Sequence, residues 1–536
     1  MNYGFVIDNR MCIGCHACTV ACKSEHDIPI GVNRTHVKYI EKGQFPNSTR
    51  EFSVHRCNHC EDAPCVEICP TTALYDRADG IVDFDSERCI GCKSCMQACP
   101  YDALYIDPDT HTAAKCNYCA HKVDYGYEPA CVVVCPVEAI ISGDLDDPTS
   151  NISHLVKNEK TMTRKPEKLT VPNLYYINGS DEMLNPTATE RSSDYLWSEQ
   201  SKGVGHFAKY AEERVAESNT ENLLVQLAME NSAKSGKPID RRAIDDVAKE
   251  INEDLQNNEA RRTYDTPSKG VLWGWEVSTY VWTKAIATGT FLIISLFSLI
   301  YGDLNYSVER NGMIVSLIFM AITGLLLVLD LDRPDRFLYV LLRPQWKSWL
   351  VRGAYIITTF GGLVTLKLID NIFEVGMDFL WYLGAFFAIM GAIYTAFLFA
   401  QAKARDLWQS KWASAIHMLN HAIIAGLVVM TVLDFSLLIQ TVDILIGGIV
   451  INVILITKEI FFPHDTSDTK QAITLIKKGY YAKYFWTGVL AGNFIPLIML
   501  LYYPDIMFLI SGLLIMSGIF LTELVRIRVP QMIPLS

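Results

Sequence analysis

All sixteen cysteines of this 536-residue chain fall between residues 12 and 135. They form four sets of four: Cys12-Cys15-Cys18-Cys22, Cys57-Cys60-Cys65-Cys69, Cys89-Cys92-Cys95-Cys99 and Cys116-Cys119-Cys131-Cys135. Sets one and three read C-x2-C-x2-C-x3-C. Set two reads C-x2-C-x4-C-x3-C and set four C-x2-C-x11-C-x3-C, and a proline follows the final cysteine in all but the first set. No other feature restricts the fold as tightly, because a short stretch must find a use for sixteen thiols.

Structural zinc needs only paired C-x2-C hooks and leaves the triplets and the trailing C-P unexplained. Disulfides belong to small secreted domains. The opening MNYGFVIDNRMCIGC has neither a secretory nor a twin-arginine pattern, so the cysteine-rich part is not expected to be exported by a leader of its own. The triplet with a later cysteine before proline is instead the spacing of iron-sulfur cubanes, in which the fourth thiolate completes the neighbouring cluster. Sets two and three then trade fourth ligands, giving Cys57, Cys60, Cys65, Cys99 and Cys69, Cys89, Cys92, Cys95. Sets one and four give Cys12, Cys15, Cys18, Cys135 and Cys22, Cys116, Cys119, Cys131. The expectation is four 4Fe-4S clusters using every thiol.

Half of the residues are hydrophobic although the net charge is -12, because a polar N-terminal part is joined to an apolar remainder. The acidic balance argues against a nucleic-acid partner. Three regions are expected: an α+β ferredoxin-like iron-sulfur domain over 1–184, built of two pseudo-symmetric dicluster units; a polar, partly helical insert over 185–272; and an all-α bundle of eight transmembrane helices over 273–536. Short strands are expected near Gly80–Phe84 and Ala103–Asp107. Within the insert, Ile239, Ala243, Val247, Ile251 and Leu255 recur every fourth residue, which predicts an amphipathic helix from Pro238 to Arg262.

The stretches CIGCHACTVACKSEH, RCNHCEDAPCVEICP, CIGCKSCMQACPYDALY and KCNYCAHKVDYGYEPACVVVCP resemble the four-cluster subunit of complex iron-sulfur molybdoenzymes, the group of polysulfide, dimethyl sulfoxide, thiosulfate and tetrathionate reductases. That resemblance covers most of residues 1–180. It implies a wire between a separate catalytic chain, of molybdopterin type, and a membrane chain, with the clusters of sets two and three nearer the membrane. The run LDLDRPDRFLYVLLRPQWKSWLVRGAY, followed by GAIYTAFLFAQAKARDLW, resembles the NrfD/PsrC-type membrane subunit over nearly all of 273–530. Relatives usually read D-L-G-R-P where this chain has D-L-D-R-P, so Asp332 adds a charge at that turn.

Eight apolar runs from residue 277 to 525 each approach the roughly 20 residues that a bilayer-spanning helix needs. Fifteen lysines and arginines fall in the loops on the cluster-domain side, Arg333, Arg336 and Arg343 among them, against Arg310 and Lys367 opposite. This positive-inside bias puts the iron-sulfur domain in the cytoplasm, on the inner membrane. Asp370, Glu374, Asp378 and Asp443, toward the other face, are expected to be solvated.

A bis-histidine haem needs ligands from facing helices, and His417 and His421 lie one turn apart on a single span, so no haem is expected. Quinone reduction takes up protons with its electrons. A site therefore needs groups that donate to the carbonyl oxygens and reload from water. The candidates for a quinone pocket and proton relay are His417, Asp330, Tyr394, Arg352 and Lys284. The expected role is the electron-transfer and membrane-anchor subunit of a respiratory oxidoreductase. It would exchange electrons with menaquinone or ubiquinone and be inactive alone on the terminal substrate. The alternative is a module of a proton-translocating complex served by a cytochrome c, whose C-x2-C-H haem motif would lie in another chain. Cys12-Ile13-Gly14-Cys15-His16 has that spelling, but its cysteines belong to a cluster motif.

Overall fold

The computed structural model describes residues 1–42, 49–189, 260–266, 269–302 and 304–536. Among these residues the N-terminal part holds eleven short strands: β1 (Tyr3–Asp8), β2 (His36–Lys42), β3 (Thr49–His55), β4 (Leu74–Asp76), β5 (Val82–Phe84), β6 (Leu104–Ile106), β7 (Ala113–Lys115), β8 (Ile140–Asp144), β9 (Thr161–Met162), β10 (Leu174–Ile177) and β11 (Arg261–Tyr264). One sheet has the order β8-β1-β10-β9, with β1 parallel to β10 and antiparallel to β8. A second has the order β11-β2-β3, and β4-β5 and β6-β7 are separate hairpins. Phe5 and Ile7 on β1 and Leu174 and Tyr176 on β10 are buried and form the sheet's share of the core.

Residues 238–259 of the expected amphipathic helix lie outside the described residues. Its last residues are not helical, because Arg261 and Arg262 belong to β11 and pair with Glu41 and Ile40 of β2. Arg262 is buried against Asp265 at 2.8 Å, and Lys38 of β2 pairs with Asp265 at 3.2 Å. A cross-strand ion cluster of this kind follows from tertiary pairing and has no signature in four-residue periodicity.

The third cysteine of each set lies on a short helix: Ala17–Glu25, Pro64–Ile68, Ser94–Ala98 and Ala130–Val133. The C-x3-C spacing makes the third and fourth cysteines neighbours one helical turn apart. The helices pack in pairs, set two on set three and set one on set four, which gives two similar units.

The C-terminal part has eight helices long and apolar enough to cross a bilayer: Trp275–Ile300, Tyr306–Leu329, Trp349–Phe373, Phe379–Gln401, Lys411–Leu433, Phe435–Phe461, Ala482–Tyr502 and Pro504–Met532. The chain is a multi-pass membrane protein. The first span is the most enclosed and packs on the second, fourth, fifth and eighth. Its approach to the fifth depends on small residues, as is usual between membrane helices. A Cβ on Gly289 would stand 1.8 Å from the Ala422 carbonyl oxygen.

The membrane part grips the cluster domain through main-chain carbonyls. Four consecutive ones, Cys89, Ile90, Gly91 and Cys92, accept from Arg336 Nη1 (3.0 Å), Arg333 N (3.2 Å), Asp332 N (3.3 Å) and Trp273 Nε1 (3.3 Å). Gly91, at φ +68°, has no room for a side chain, since its Cβ would lie 2.7 Å from that of Asp332. The charge that Asp332 brings to this turn meets Lys93 at 3.1 Å. Ser348 Oγ donates to Ile68 O at 2.7 Å and Gln345 Nε2 to Val66 O at 2.7 Å. Replacing Arg336 by Ala removes bonds to Ser86 O and Cys89 O. This should weaken docking by about 1.5–3 kcal/mol, the value of a charged hydrogen bond. Differential scanning calorimetry in detergent should show the cluster domain melting earlier. Arg343, which rests on Tyr339 of its own loop, should be replaceable without that effect.

Candidate functional site

The sulfurs gather by sets. One cavity is lined by Cys69, Cys89, Cys92 and Cys95, and a second by Cys57, Cys60, Cys65 and Cys99. In the other unit the thiols of Cys12, Cys18 and Cys135 interact electrostatically, as do those of Cys22, Cys116, Cys119 and Cys131, and Cys18 also interacts with Cys131. Among the described residues no three His, Cys, Asp or Glu side chains converge tightly enough for a single metal ion. The sulfurs surround spaces.

Peptide N–H groups turn toward several of these sulfurs. His59 N donates to Cys57 Sγ at 3.5 Å, Gly91 N and Ala113 N to Cys89 Sγ at 3.4 and 3.3 Å, and Ala139 N to Cys135 Sγ at 3.2 Å. Burial pushes the Cys22 and Cys92 thiols up to about 12 and Cys18 to about 11. Held by protein alone, these groups keep their protons at neutral pH. A cationic metal centre is what makes buried thiolates stable, so the donor set fits iron-sulfur ligation. Two buried cations add to this: Arg56 donates to Cys131 Sγ at 3.0 Å, and Lys115 donates to Cys116 O at 3.0 Å and to Val82 O. Burial opposes both charges, but neighbouring thiols outweigh it and hold both pKa values above their ordinary range.

A cavity of about 220 Å³ lies where the set-three loop meets the first four spans. Cys92 and Ser94 line it from the cluster side, and Trp273, Tyr280, Asp330 and Tyr394 from the membrane side. Most of the remaining wall is aliphatic, from Val277 to Leu398. Asp330 caps the second span, and burial pushes its carboxyl up to about 7.

Of the five membrane candidates, Asp330 and Tyr394 line the cavity. Lys284 stands behind Tyr394, 4.3 Å above its ring, and donates to Ala392 O at 3.1 Å and Thr395 Oγ1 at 2.5 Å. Arg352 does not line the cavity; it bonds Trp346 O at 2.6 Å and covers Trp349. Nor does His417. Its Nε2 shares Asn452 Oδ1 with His421, at 2.8 and 3.0 Å.

That pair opens a buried network on the other side of Lys284. His421 Nδ1 meets Glu523 at 3.1 Å, Glu523 meets Arg526 at 3.1 Å, and Arg526 meets Glu459 at 3.0 Å. Asn452 Nδ2 donates to Asn493 Oδ1 at 2.8 Å, and Asn493 sits in a π turn, Leu490–Phe494, within the seventh span. A small gap beside this network is lined by Lys284, His421 and Glu523. Glu523, Asn452 and Asn493 are absent from the sequence-derived candidates. The available signal was an acid and two amides inside apolar runs, since polar groups rarely stand idle in a bilayer. At the far end, Asp370 is not solvated as expected. It is buried against Lys367 at 2.6 Å, because a cation at the apolar end of the third span needs its counter-charge close by.

Cluster-type cysteine cavities seated on a multi-pass bundle define a membrane-bound iron-sulfur electron-transfer protein. Residues 49–145 match the family of 4Fe-4S dicluster domains, and residues 265–531 match the polysulphide reductase, NrfD family. The B component of tetrathionate reductase from Salmonella typhimurium is 40% identical over 201 residues, which is 37% of this chain and 80% of the relative. The B component of polysulfide reductase from Wolinella succinogenes is 43% identical over 178 residues, 33% of this chain and 93% of the relative. Protein NrfC of Escherichia coli is 43% identical over 180 residues, 33% and 81% respectively. The chain belongs to this family of iron-sulfur electron-transfer subunits, here continuous with an NrfD-type membrane domain.

Glu523 balances His421 and Arg526 inside the bundle. Glu523→Ala leaves the buried His421 Nδ1 without its partner and takes one of two carboxylates from Arg526, which keeps Glu459, and should cost about 1–3 kcal/mol. Thermal unfolding in lipid nanodiscs should show this, with a smaller loss for Glu523→Gln.

Proposed function

We propose that this chain carries electrons between a separate catalytic subunit and a membrane quinone, menaquinone or ubiquinone, bound in the cavity below the set-three loop. The observation that carries the reading is that Cys92 lines both its own cysteine cavity and the membrane cavity. A thiol that would hold a cluster on one side and borders a mostly aliphatic space among the spans on the other is where such an exchange belongs.

The sixteen cysteines hold four 4Fe-4S clusters in the groups given above, and bound clusters supply one-electron transfer. The chain's own residues do the rest. The aliphatic wall and Trp273 enclose a quinone ring. Tyr394 and Tyr280 present hydroxyls to its carbonyls, and Lys284 supports Tyr394 from behind. Asp330, titrating near neutrality, takes or returns a proton at the cluster-side end of the second span. Both imidazoles of the fifth span are engaged by Asn452 and Glu523, which supports a haem-free bundle.

In this reading residues 1–184 form the cluster domain, 185–272 the connection and 273–536 the membrane domain. Cys15 is the exposed member of the sixteen, and Ile13 beside it is exposed too. That end, away from the bilayer, receives the catalytic partner. Relatives named as B components of reductases support the existence of such a partner, and in this reading it is of molybdopterin type. The domain faces the cytoplasm from the inner membrane. Arg333, Arg336 and Arg405 are engaged in docking, and the other cluster-side cations still outnumber Arg310 and Lys367 opposite.

Two experiments test this. Anaerobically purified chain should contain about sixteen iron atoms and show cubane EPR signals on reduction, and a stoichiometric zinc protein would refute the cluster assignment. Asp330→Asn should keep those signals while quinol-linked turnover falls by about 100-fold or more. In the unmodified protein the carboxyl is protonated below about pH 7 and ionised above it, so turnover should show a limb near that pH. Persistence of the limb in Asp330→Asn would remove the aspartate from the relay.

A further inference from the structure

Sets two and four begin with the same pattern, Arg56-Cys57-Asn58-His59-Cys60 and Lys115-Cys116-Asn117-Tyr118-Cys119. In each, a basic residue precedes the first cysteine and an asparagine follows it. The two copies meet at the junction of the dicluster units. His59 and Tyr118, equivalent positions with φ +44° and +60°, are in edge-to-face contact at 5.5 Å. Both basic side chains are wholly buried there.

Each makes a contact toward the other unit. Arg56 adjoins Cys57, yet its guanidinium contacts Cys131 at 3.0 Å and interacts with Cys116 and Cys18. Lys115 adjoins Cys116 and bonds its carbonyl at 3.0 Å, yet its ammonium also donates to the carbonyl of Val82, a residue that lines the cavity of Cys57, Cys60, Cys65 and Cys99, and it interacts with Cys57 and Cys65. The arrangement is crossed. Arg56 Nε and Nη2 have no protein partner, so the guanidinium keeps free donors beside the thiols of the other unit. Hydrogen bonds can account for holding Lys115 in place. They do not account for a guanidinium buried with two of its nitrogens unpaired.

Resting on the cluster ligation proposed above, we infer that Arg56 and Lys115 are a crossed pair of potential-setting residues: Arg56 acts on the cluster of Cys22, Cys116, Cys119 and Cys131, and Lys115 on that of Cys57, Cys60, Cys65 and Cys99. A thiolate-ligated cubane is anionic and becomes more so on reduction. A fixed cation in a low-dielectric junction stabilises the reduced form more than the oxidised one and raises the midpoint potential. These are the two clusters on either side of the junction. Both sides of the crossing between units are therefore raised together, and neither becomes a trap for the electron. The residues act through the clusters and are positioning residues.

The test is a potentiometric titration of the full chain with its clusters, followed by EPR. Arg56→Gln should lower one midpoint by a tenfold or larger change in the one-electron equilibrium, about 59 mV. Lys115→Met should do the same to a different cluster. Arg56→Lys and Lys115→Arg should stay close to the unmodified values. Unmoved midpoints in either neutral variant at full iron content would overturn the inference. Should a neutral variant lose iron, the charge-keeping partner decides: retained clusters at the original potential support a role for charge, and the same loss of iron shows a role of shape alone. Absence of cubane signals from the unmodified chain would instead sink the ligation reading beneath it.

Discussion

A peptide group that turns its N–H toward a sulfur must turn its C=O the other way, and the attachment of the cluster domain to the membrane domain depends on this. The set-three loop directs Gly91 N at Cys89 Sγ, and four consecutive carbonyls, Cys89 to Cys92, face outward. They meet an arginine side chain, two backbone amides of the D-L-D-R-P turn and an indole N–H. One conformation thus serves ligation and docking at once. It also draws Cys92 to the edge of the membrane cavity, since the donors that satisfy these carbonyls stand just before the first span and in the turn after the second.

The cavity depends in turn on how the spans pack. Gly289 and Gly426 bring the first and fifth helices together, and the first span packs centrally against the second, fourth, fifth and eighth. Tyr280 and Lys284 are one turn apart on that central helix. The first faces the cavity and the second the gap shared with His421 and Glu523. Tyr394, under Lys284, separates the cavity from the ion network on spans five, six and eight. Polar groups that look like one cluster in sequence are thus divided into two by a single aromatic ring.

This division marks how far the sequence can be read. The triplets and the eight spans are legible because each follows from a local rule: ligand spacing in one case, and in the other the length of apolar helix that a bilayer demands. The pairing of Cys99 with set two and of Cys69 with set three also follows from spacing, because C-x3-C is one helical turn. The cavity is only half legible. Asp330 and Tyr394 stand out as polar residues near the cluster end, but His417 does so equally, and only the rotation of the fifth helix sends its ring to Asn452. Arg352 fails for a similar reason, since its long side chain folds back over Trp349. Asp370 looks solvated in sequence because Lys367, three residues earlier, resembles a loop cation when it is a buried partner. The β11 strand is invisible: Arg261–Tyr264 has no strand signature of its own and exists because β2 offers an unpaired edge.

Joining the two modules in one chain changes what their interface has to do. The contacts between them join apolar packing, of Ile90 on Val340 and Val351 and of Leu272 and Leu398 on the set-two and set-three core, to single hydrogen bonds to carbonyls, each contributing about 0.5–1.5 kcal/mol when neutral and about twice that from arginine. Between free subunits such contacts would first have to offset the entropy of association, which greasier obligate interfaces do by burying area. Within one polypeptide the second contact forms at high effective concentration. The connection adds to this, since β11 pairs with β2 before the chain turns into the first span, and Lys269 bonds Asp102 at 2.6 Å on the way. Beneath them most of the segment Val529–Ser536 is buried, Met532 being its exposed member. Gln531 there bonds Gln97 of the cluster domain at 2.6 Å and the Leu272 and Trp273 amides at 3.0 and 2.9 Å. An interface fastened at several points along one chain keeps a cysteine loop fixed against the membrane cavity with few strong contacts at any one of them.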